Sequence, residues 1–104
     1  MTISKETDAK YWYNSNDQLH RVDGPAIEHN DGTQCWFQNG KLHREDGPAV
    51  LQADGSKCWY NAGRLHREDG PAIERINGYK AWYIDDKLQH EDVELFDALM
   101  ELDF

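Results

Sequence analysis

A chain of 104 residues is the size of one small domain, and its net charge of −9 argues against binding to nucleic acid or an anionic membrane through a basic surface. The mean hydropathy of −0.92 leaves little material for a deep core, yet 12% aromatic residues are too many for a disordered chain. The composition predicts a thin folded domain with an aromatic core. No apolar stretch resembles a signal peptide or a membrane span, so we expect a cytoplasmic protein.

Three gapless copies of a 23-residue unit occupy most of the chain. They read LHRVDGPAIEHNDGTQCWFQNGK (19–41), LHREDGPAVLQADGSKCWYNAGR (42–64) and LHREDGPAIERINGYKAWYIDDK (65–87). A partial unit (10–18) precedes them, and a degenerate unit begins at Leu88. Repetition at such a period is typical of arrays in which each unit covers its neighbour. We therefore expect a single domain over residues 1–104.

Each unit contains a dipeptide with the composition of a two-residue hairpin turn, namely Asp31-Gly32, Asp54-Gly55 and Asn77-Gly78. Counting outward from these turns pairs each β-branched residue with a tryptophan, as in Ile27 with Trp36, and each alanine with a tyrosine or phenylalanine. The sequence predicts a mainly β fold, a single-layer antiparallel meander of seven strands near residues 10–14, 24–30, 33–38, 47–53, 56–61, 70–76 and 79–84.

The C-terminal segment differs from the repeats. From Asp92 the chain has no Gly or Pro and places apolar residues on a broad arc, which predicts a capping α-helix with Asp92 as its N-cap. Residues 85–104 carry a net charge of −7, whereas residues 1–84 carry only −2. We expect this acidity either to coat a solvated cap or to bind a basic protein, such as a nucleic-acid-binding protein. The candidate partner-binding residues are Asp85, Asp86, Glu91, Glu94, Asp97 and Glu101.

The segment QNGKLHREDGPAVLQADGSKCWY (38–60) resembles the MORN repeat, which has an aromatic residue, Asn-Gly-Lys, His-Gly-x-Gly, a strand, Asp-Gly and a second strand in this order. The resemblance covers residues 10–90. It departs at His-Gly-x-Gly, which here becomes His-Arg-x-Asp-Gly-Pro-Ala. The variant WYxNGxLHRxDGPA is similar to repeats of phage, bacterial and giant-virus proteins. The resemblance implies a hairpin-repeat fold and a non-catalytic role in assembly or binding.

The repeated His-Arg-Glu-Asp cluster has the residue types of a catalytic or metal site, but not the spacing. Equivalent residues of adjacent units lie two strands apart, roughly 9–10 Å, which is too far for one zinc ion. The same separation argues against a disulfide between Cys35 and Cys58. We count His20, His43, His66 and His90 as equivalent or nearly so, each of the first three beside an arginine. We predict no metal, no cofactor and no enzymatic activity.

Three functions remain open. The first is a non-catalytic protein-interaction module, specifically a phage-encoded inhibitor of a bacterial defence system such as a CRISPR nuclease, acting in the bacterial cytoplasm. The second is binding of a nucleotide or phosphate by the His-Arg row, although nearby carboxylates neutralise these arginines. The third is self-association into a homo-oligomer, for which the strand near Tyr11–Tyr13 offers an open edge. The ligand-binding residues of the second hypothesis are His20, Arg21, His43, Arg44, His66 and Arg67.

Overall fold

The computed structural model describes residues 2–3 and 9–92, and within these ranges the fold is mainly β and built of antiparallel hairpins, as predicted. The described residues contain no helix. Their strands are β1 Thr2–Ile3, β2 Lys10–Tyr11, β3 Ile27–Glu28, β4 Gln34–Cys35, β5 Phe37–Gln38, β6 Lys41–Leu42, β7 Val50–Leu51, β8 Lys57–Cys58, β9 Tyr60–Asn61, β10 Arg64–Leu65, β11 Ile73–Glu74, β12 Lys80–Ile84 and β13 Lys87–Asp92.

Nine of these strands form one antiparallel sheet in the order β1-β2-β3-β4-β7-β8-β11-β12-β13. The other four form two separate hairpins, β5-β6 and β9-β10. Each full unit therefore contributes one hairpin to the main sheet. The first two units then form a second, smaller hairpin, which ends on the first leucine of the next unit. The smallest extent of the molecule, 17 Å, agrees with the predicted thin domain.

The predicted strand register is wrong by one residue. Ile27 pairs with Cys35 and not with Trp36, and the other units repeat this offset, with Val50 opposite Cys58 and Ile73 opposite Ala81. The predicted pairs of alanine with tyrosine or phenylalanine do not form either. Instead each of these aromatic residues pairs with a leucine: Phe37 with Leu42, Tyr60 with Leu65 and Tyr83 with Leu88.

The turn geometry explains this offset. His29 N–H donates to Thr33 O (2.9 Å) and Gly32 N–H donates to His29 O (3.0 Å), so three residues connect the strands. Gly32 has a φ of 98°, and Asp31 lacks the positive φ that a two-residue turn of the predicted type requires. The Asp31 carboxylate accepts the Thr33 N–H (2.9 Å), and this hydrogen bond lowers the pKa of Asp31. A three-residue turn shifts every pair beyond it by one.

Two-residue turns do occur, but in the second hairpin of each unit. Consecutive positive φ angles are found at Asn39-Gly40 (50° and 81°), Ala62-Gly63 (50° and 83°) and Asp85-Asp86 (48° and 68°). The predicted continuous strand 33–38 is accordingly interrupted at Trp36, where the chain leaves the main sheet after β4 and then begins β5. In the first, partial unit, the corresponding turn has three residues and not two, and it is closed by Asn14 N–H, which donates to Gln18 O (2.9 Å).

The end of the array contains a strand that the sequence did not predict. β13 pairs back along β12, with an irregularity between Trp82 and Tyr83. The degenerate unit keeps the aspartate as Asp92 but lacks the Gly-Pro that follows it in the other units, and its chain pairs directly with β12. Asp92, the proposed N-cap, is the last residue of β13. The predicted C-terminal helix beyond it lies outside the described residues.

The core of the described residues consists of small side chains. The fully buried apolar residues are all alanines: Ala9, Ala26, Ala49, Ala72 and Ala81. No large side chain reaches complete burial among them. The tryptophans are only half-buried, so they are not part of this completely buried core. The groups that lie on the tryptophan rings form the candidate site.

Candidate functional site

The repeated LHREDGP segment forms a loop that closes over a tryptophan. In the second unit, His43 N–H donates to Trp36 O (3.0 Å), and Trp36 N–H donates to Ala49 O (2.7 Å). These two bonds bring both ends of the 43–49 segment to the same tryptophan. The other two loops begin and end in the same way, with His20 and Ala26 on Trp12 and with His66 and Ala72 on Trp59. We call these segments the HREDGP loops.

The arginine of each HREDGP loop lies on the ring of that tryptophan. The guanidinium carbon of Arg44 is 3.9 Å from the Trp36 ring centroid, a cation–π geometry. Arg44 Nε contacts Asp46 Oδ1 at 3.2 Å, and Nη1 donates to Pro48 O at 3.1 Å. Arg21 on Trp12 and Arg67 on Trp59 repeat the same three contacts. Each arginine is therefore bound by its own loop.

The glycine of the loop permits this packing. A Cβ atom added at Gly47 would lie 2.9 Å from the guanidinium carbon of Arg44, closer than real Cβ contacts. Gly24 and Gly70 are in the same position relative to Arg21 and Arg67. The Asp-Gly-Pro sequence thus supplies an acceptor for Arg Nε, space for the guanidinium and an acceptor carbonyl for Nη1.

Each loop histidine connects the start of its unit with the end of the same unit. His43 Nδ1 accepts a hydrogen bond from Ala62 N–H (3.0 Å), in the two-residue turn near the end of the second unit. His20 binds Asn39 N–H (3.0 Å) and His66 binds Asp85 N–H (3.2 Å) in the same way. All three acceptors face residues with positive φ. Each histidine therefore caps a turn 19 residues further along the chain.

We predict that replacing His43 with leucine lowers the free energy of unfolding by about 1 kcal/mol, the usual contribution of one hydrogen bond. His43→Asn is the matched variant, because its Oδ1 lies where Nδ1 does and can accept the Ala62 N–H. Denaturant unfolding followed by tryptophan fluorescence measures both variants. An equal loss of stability in the two would contradict a role for the acceptor.

The predicted equivalence of His90 with the three loop histidines is wrong. His90 occupies the place of the arginine: its ring centroid lies 5.1 Å from that of Trp82, tilted by 54°. It also pairs with Trp82 in the sheet. The last tryptophan is therefore covered by an imidazole from β13 and not by an HREDGP loop. In the described residues, no group of three or more His, Cys, Asp or Glu side chains is arranged as metal ligands.

The carboxylates of the HREDGP loops point outward. The side chains of Asp46 and Glu45 are 88% and 85% exposed, whereas that of Arg44 is 26% exposed. The third loop has the same distribution. An open groove of about 850 Å³ lies between the second and third loops, and its lining includes Trp59 and Tyr60. A smaller groove of about 520 Å³ lies between the first and second loops.

Three of the six predicted partner-binding residues lie in the described region, and each has an internal contact. Asp86 accepts the Leu65 N–H (2.7 Å), and Asp85 Oδ1 lies 3.4 Å from His66 Nδ1. Glu91 accepts the Tyr79 hydroxyl (2.6 Å), and this bond raises the pKa of Tyr79 to about 12. Glu94, Asp97 and Glu101 lie outside the described residues.

The outward acidic row is not predicted from the sequence, because the charges of each loop nearly cancel in composition. The row comprises Asp23, Glu45, Asp46, Glu68 and Asp69, which we call the loop carboxylates. One sequence feature could have indicated that the arginines are held inside the loops: a tryptophan precedes each arginine by eight residues, or by nine in the first unit. The structure brings His20, Arg21, His43, Arg44, His66 and Arg67 into one row of loops, and nucleotide binding by them stays a prediction.

No protein-family model, curated protein or solved structure matches this chain. The resemblance to the MORN repeat accordingly stays an expectation. In the part of the chain that the structure describes, no helix has the length and apolar character needed to cross a membrane.

Proposed function

We propose that this protein is a non-catalytic protein-interaction module that binds a basic partner through the loop carboxylates. The observation that supports this proposal is the unequal exposure of charge in the HREDGP loops. The arginine side chains are 22–26% exposed, whereas the carboxylates of Asp23, Asp46 and Asp69 are 87–88% exposed. Although each loop contains both signs, a partner meets mainly its negative charge.

The repeat makes the surface regular. The loops follow one another at the spacing of two strands, roughly 9–10 Å, and the grooves between them expose aromatic side chains. Lysine and arginine side chains suit such a surface, since their stems pack on aromatic rings while their charged ends meet carboxylates. Inhibition of a bacterial defence nuclease by a phage-encoded protein is the specific form of this proposal, because such enzymes carry basic nucleic-acid-binding grooves.

We expect charge reversal by Glu45→Lys to weaken capture of the partner from bacterial lysate at least tenfold, through lost attraction and added repulsion. Val22 stands at this position of the first unit, so the fold tolerates a residue without charge there. Added salt should weaken capture by the unchanged protein in a graded way. The measurement is the amount of bound protein as a function of lysate concentration.

The control variant carries Gln52→Lys and Ala53→Lys together. It changes the net charge by the same two units as Glu45→Lys, but at the turn end of the hairpin, away from the HREDGP loops. A second reversal set, Glu94→Lys, Asp97→Lys and Glu101→Lys, tests the C-terminal residues predicted from the sequence. Loss of capture in the control or the C-terminal set, with Glu45→Lys unaffected, would contradict binding through the loops.

A further inference from the structure

One face of the main sheet carries an almost uncharged row of residues. The strand pairings place them side by side in the order Tyr11, Ile27, Cys35, Val50, Cys58, Ile73, Ala81 and Glu91. The neighbouring residues point to the opposite face because side chains alternate along a strand. That opposite row is Lys10, Glu28, Gln34, Leu51, Lys57, Glu74, Lys80 and Asp92, and its charges mostly alternate in sign. We call the first row the apolar row.

The apolar row is incompletely covered along most of its length, with the exception of Ala81, which is completely buried. Ile27, Val50 and Ile73 belong to inner strands of a nine-stranded sheet, yet all three are only half-buried. Cys35 and Cys58 are free, half-buried thiols in the same row, and burial raises the pKa of both. The HREDGP loops do not supply the missing cover, since their arginines contact Glu28 and Glu74 of the opposite row. Inner strands with one uncovered apolar face normally pack against a second layer.

The shape of the apolar row matches a second copy of itself. Large and small residues alternate from Ile27 to Ala81. A two-fold axis parallel to the strands, between β7 and β8, places Val50 of one copy opposite Cys58 of the other. The same axis places Cys35 opposite Ile73, while Ile27 falls opposite Ala81, which its own chain already buries completely. At the centre of the row, the branched side chains of Val50 and Ile73 then meet cysteines, as in the interdigitated core between two packed sheets.

The area also suits a dimer. Eight residues at the strand spacing of about 4.8 Å make a row about 34 Å long, and hairpins of about six residues give a width of about 20 Å. The product, about 700 Å² per copy, approaches the roughly 800 Å² per partner of a stable interface. Among the members of the row, only Glu91 at its end is charged, so repulsion between the acidic chains stays away from the centre.

We propose that two copies of this chain pack face to face through the apolar row and form a symmetric two-layer β-sandwich. The inference is independent of the proposed function, because the HREDGP loops contact the opposite row. It assigns to the dimer the second layer that a single sheet lacks. Val50 and Cys58 lie at its centre.

Analytical ultracentrifugation of the full chain with Val50→Glu and with Leu51→Glu tests this proposal. The two residues are adjacent but point to opposite faces, and Leu51 takes the position of Glu28 and Glu74 in the other units. We expect the unchanged protein and Leu51→Glu to sediment as dimers at micromolar concentration. Val50→Glu should weaken dimerisation at least a hundredfold, because it buries a charge. A monomeric unchanged protein, or a folded Val50→Glu variant that dimerises normally, would overturn the proposal.

A second measurement needs no substitution and decides the question even if Val50→Glu fails to fold. Cys35 and Cys58 lie inside the proposed interface, so their reaction with a disulfide reagent should slow as protein concentration rises. We expect at least a tenfold difference in rate between the most dilute and the most concentrated samples. Rates that do not depend on concentration would mean that something other than a second copy covers the apolar row, or that nothing does.

Discussion

Ala49→Leu is expected to lower the free energy of unfolding by about 3 kcal/mol, at the upper end of the cost of inserting a larger side chain into a packed core. Ala49 is completely buried. Its carbonyl accepts Trp36 N–H (2.7 Å) and its N–H donates to Cys58 O (2.8 Å), so the backbone cannot move away from either strand without losing a hydrogen bond. The leucine must therefore displace its neighbours.

Ala53→Leu is the matched control, because Ala53 is exposed near the turn of the same hairpin. It should change stability by no more than about 0.5 kcal/mol. Denaturant unfolding monitored by circular dichroism and by tryptophan fluorescence measures both variants. A domain of this size has a total stability of only about 5–15 kcal/mol, so the loss at Ala49 is a large fraction. Equal stability of the two variants would show that the space around Ala49 is not filled.

Arg44→Ala is expected to destabilise the protein by about 2–3 kcal/mol. The substitution removes the cation–π contact with Trp36, worth about 0.5–2 kcal/mol, and the hydrogen bonds to Asp46 and to the Pro48 carbonyl. It also uncovers the Trp36 ring, so the fluorescence of the folded protein should shift to longer wavelength. The stability of Arg44→Lys should fall between those of the unchanged protein and Arg44→Ala, because an ammonium group can face the ring but cannot hold both oxygen contacts.

The control for this prediction is Arg64→Ala, since Arg64 is an exposed arginine at the start of β10. Its loss should cost no more than about 0.5 kcal/mol. Unfolding curves should be recorded at more than one wavelength, because repeat arrays can open unit by unit and one transition need not describe the whole chain. If Arg44→Ala were as stable as Arg64→Ala, the loop arginines would have to be regarded as surface groups available to a ligand.

That distinction bears directly on function. The sequence places a histidine and an arginine at the same point of three units, which agrees with either a row of anion-binding groups or a structural motif. Each arginine of the HREDGP loops faces a tryptophan, an aspartate and a carbonyl, and each histidine of the loops faces a backbone N–H near the end of its own unit. These contacts favour the structural interpretation. They leave the carboxylates as the groups that a partner would meet.

The turns do not follow from local composition. Asp31-Gly32 has the composition of a two-residue turn and Ala62-Gly63 does not, yet the positive φ pair is found at Ala62-Gly63. Alanine is an unfavourable residue for this conformation, and His43, at the start of the same unit, stabilises it through its hydrogen bond to Ala62 N–H. A contact that spans 19 residues is not visible in local composition. The one-residue error in register has another cause, since the turns at Asp31-Gly32, Asp54-Gly55 and Asn77-Gly78 each contain three residues and not two.

The sequence by itself determined the period of 23 residues, the antiparallel hairpins and the thin domain, because repetition and turn residues are local properties of the chain. Only the tertiary structure decided the strand register, the contacts of the loop arginines and the presence of β13 at the end of the described array. Each of these depends on groups that are distant in sequence or on which polar atom takes which partner. The balance of exposed charge, from which we infer the function, is therefore a property of the folded loops.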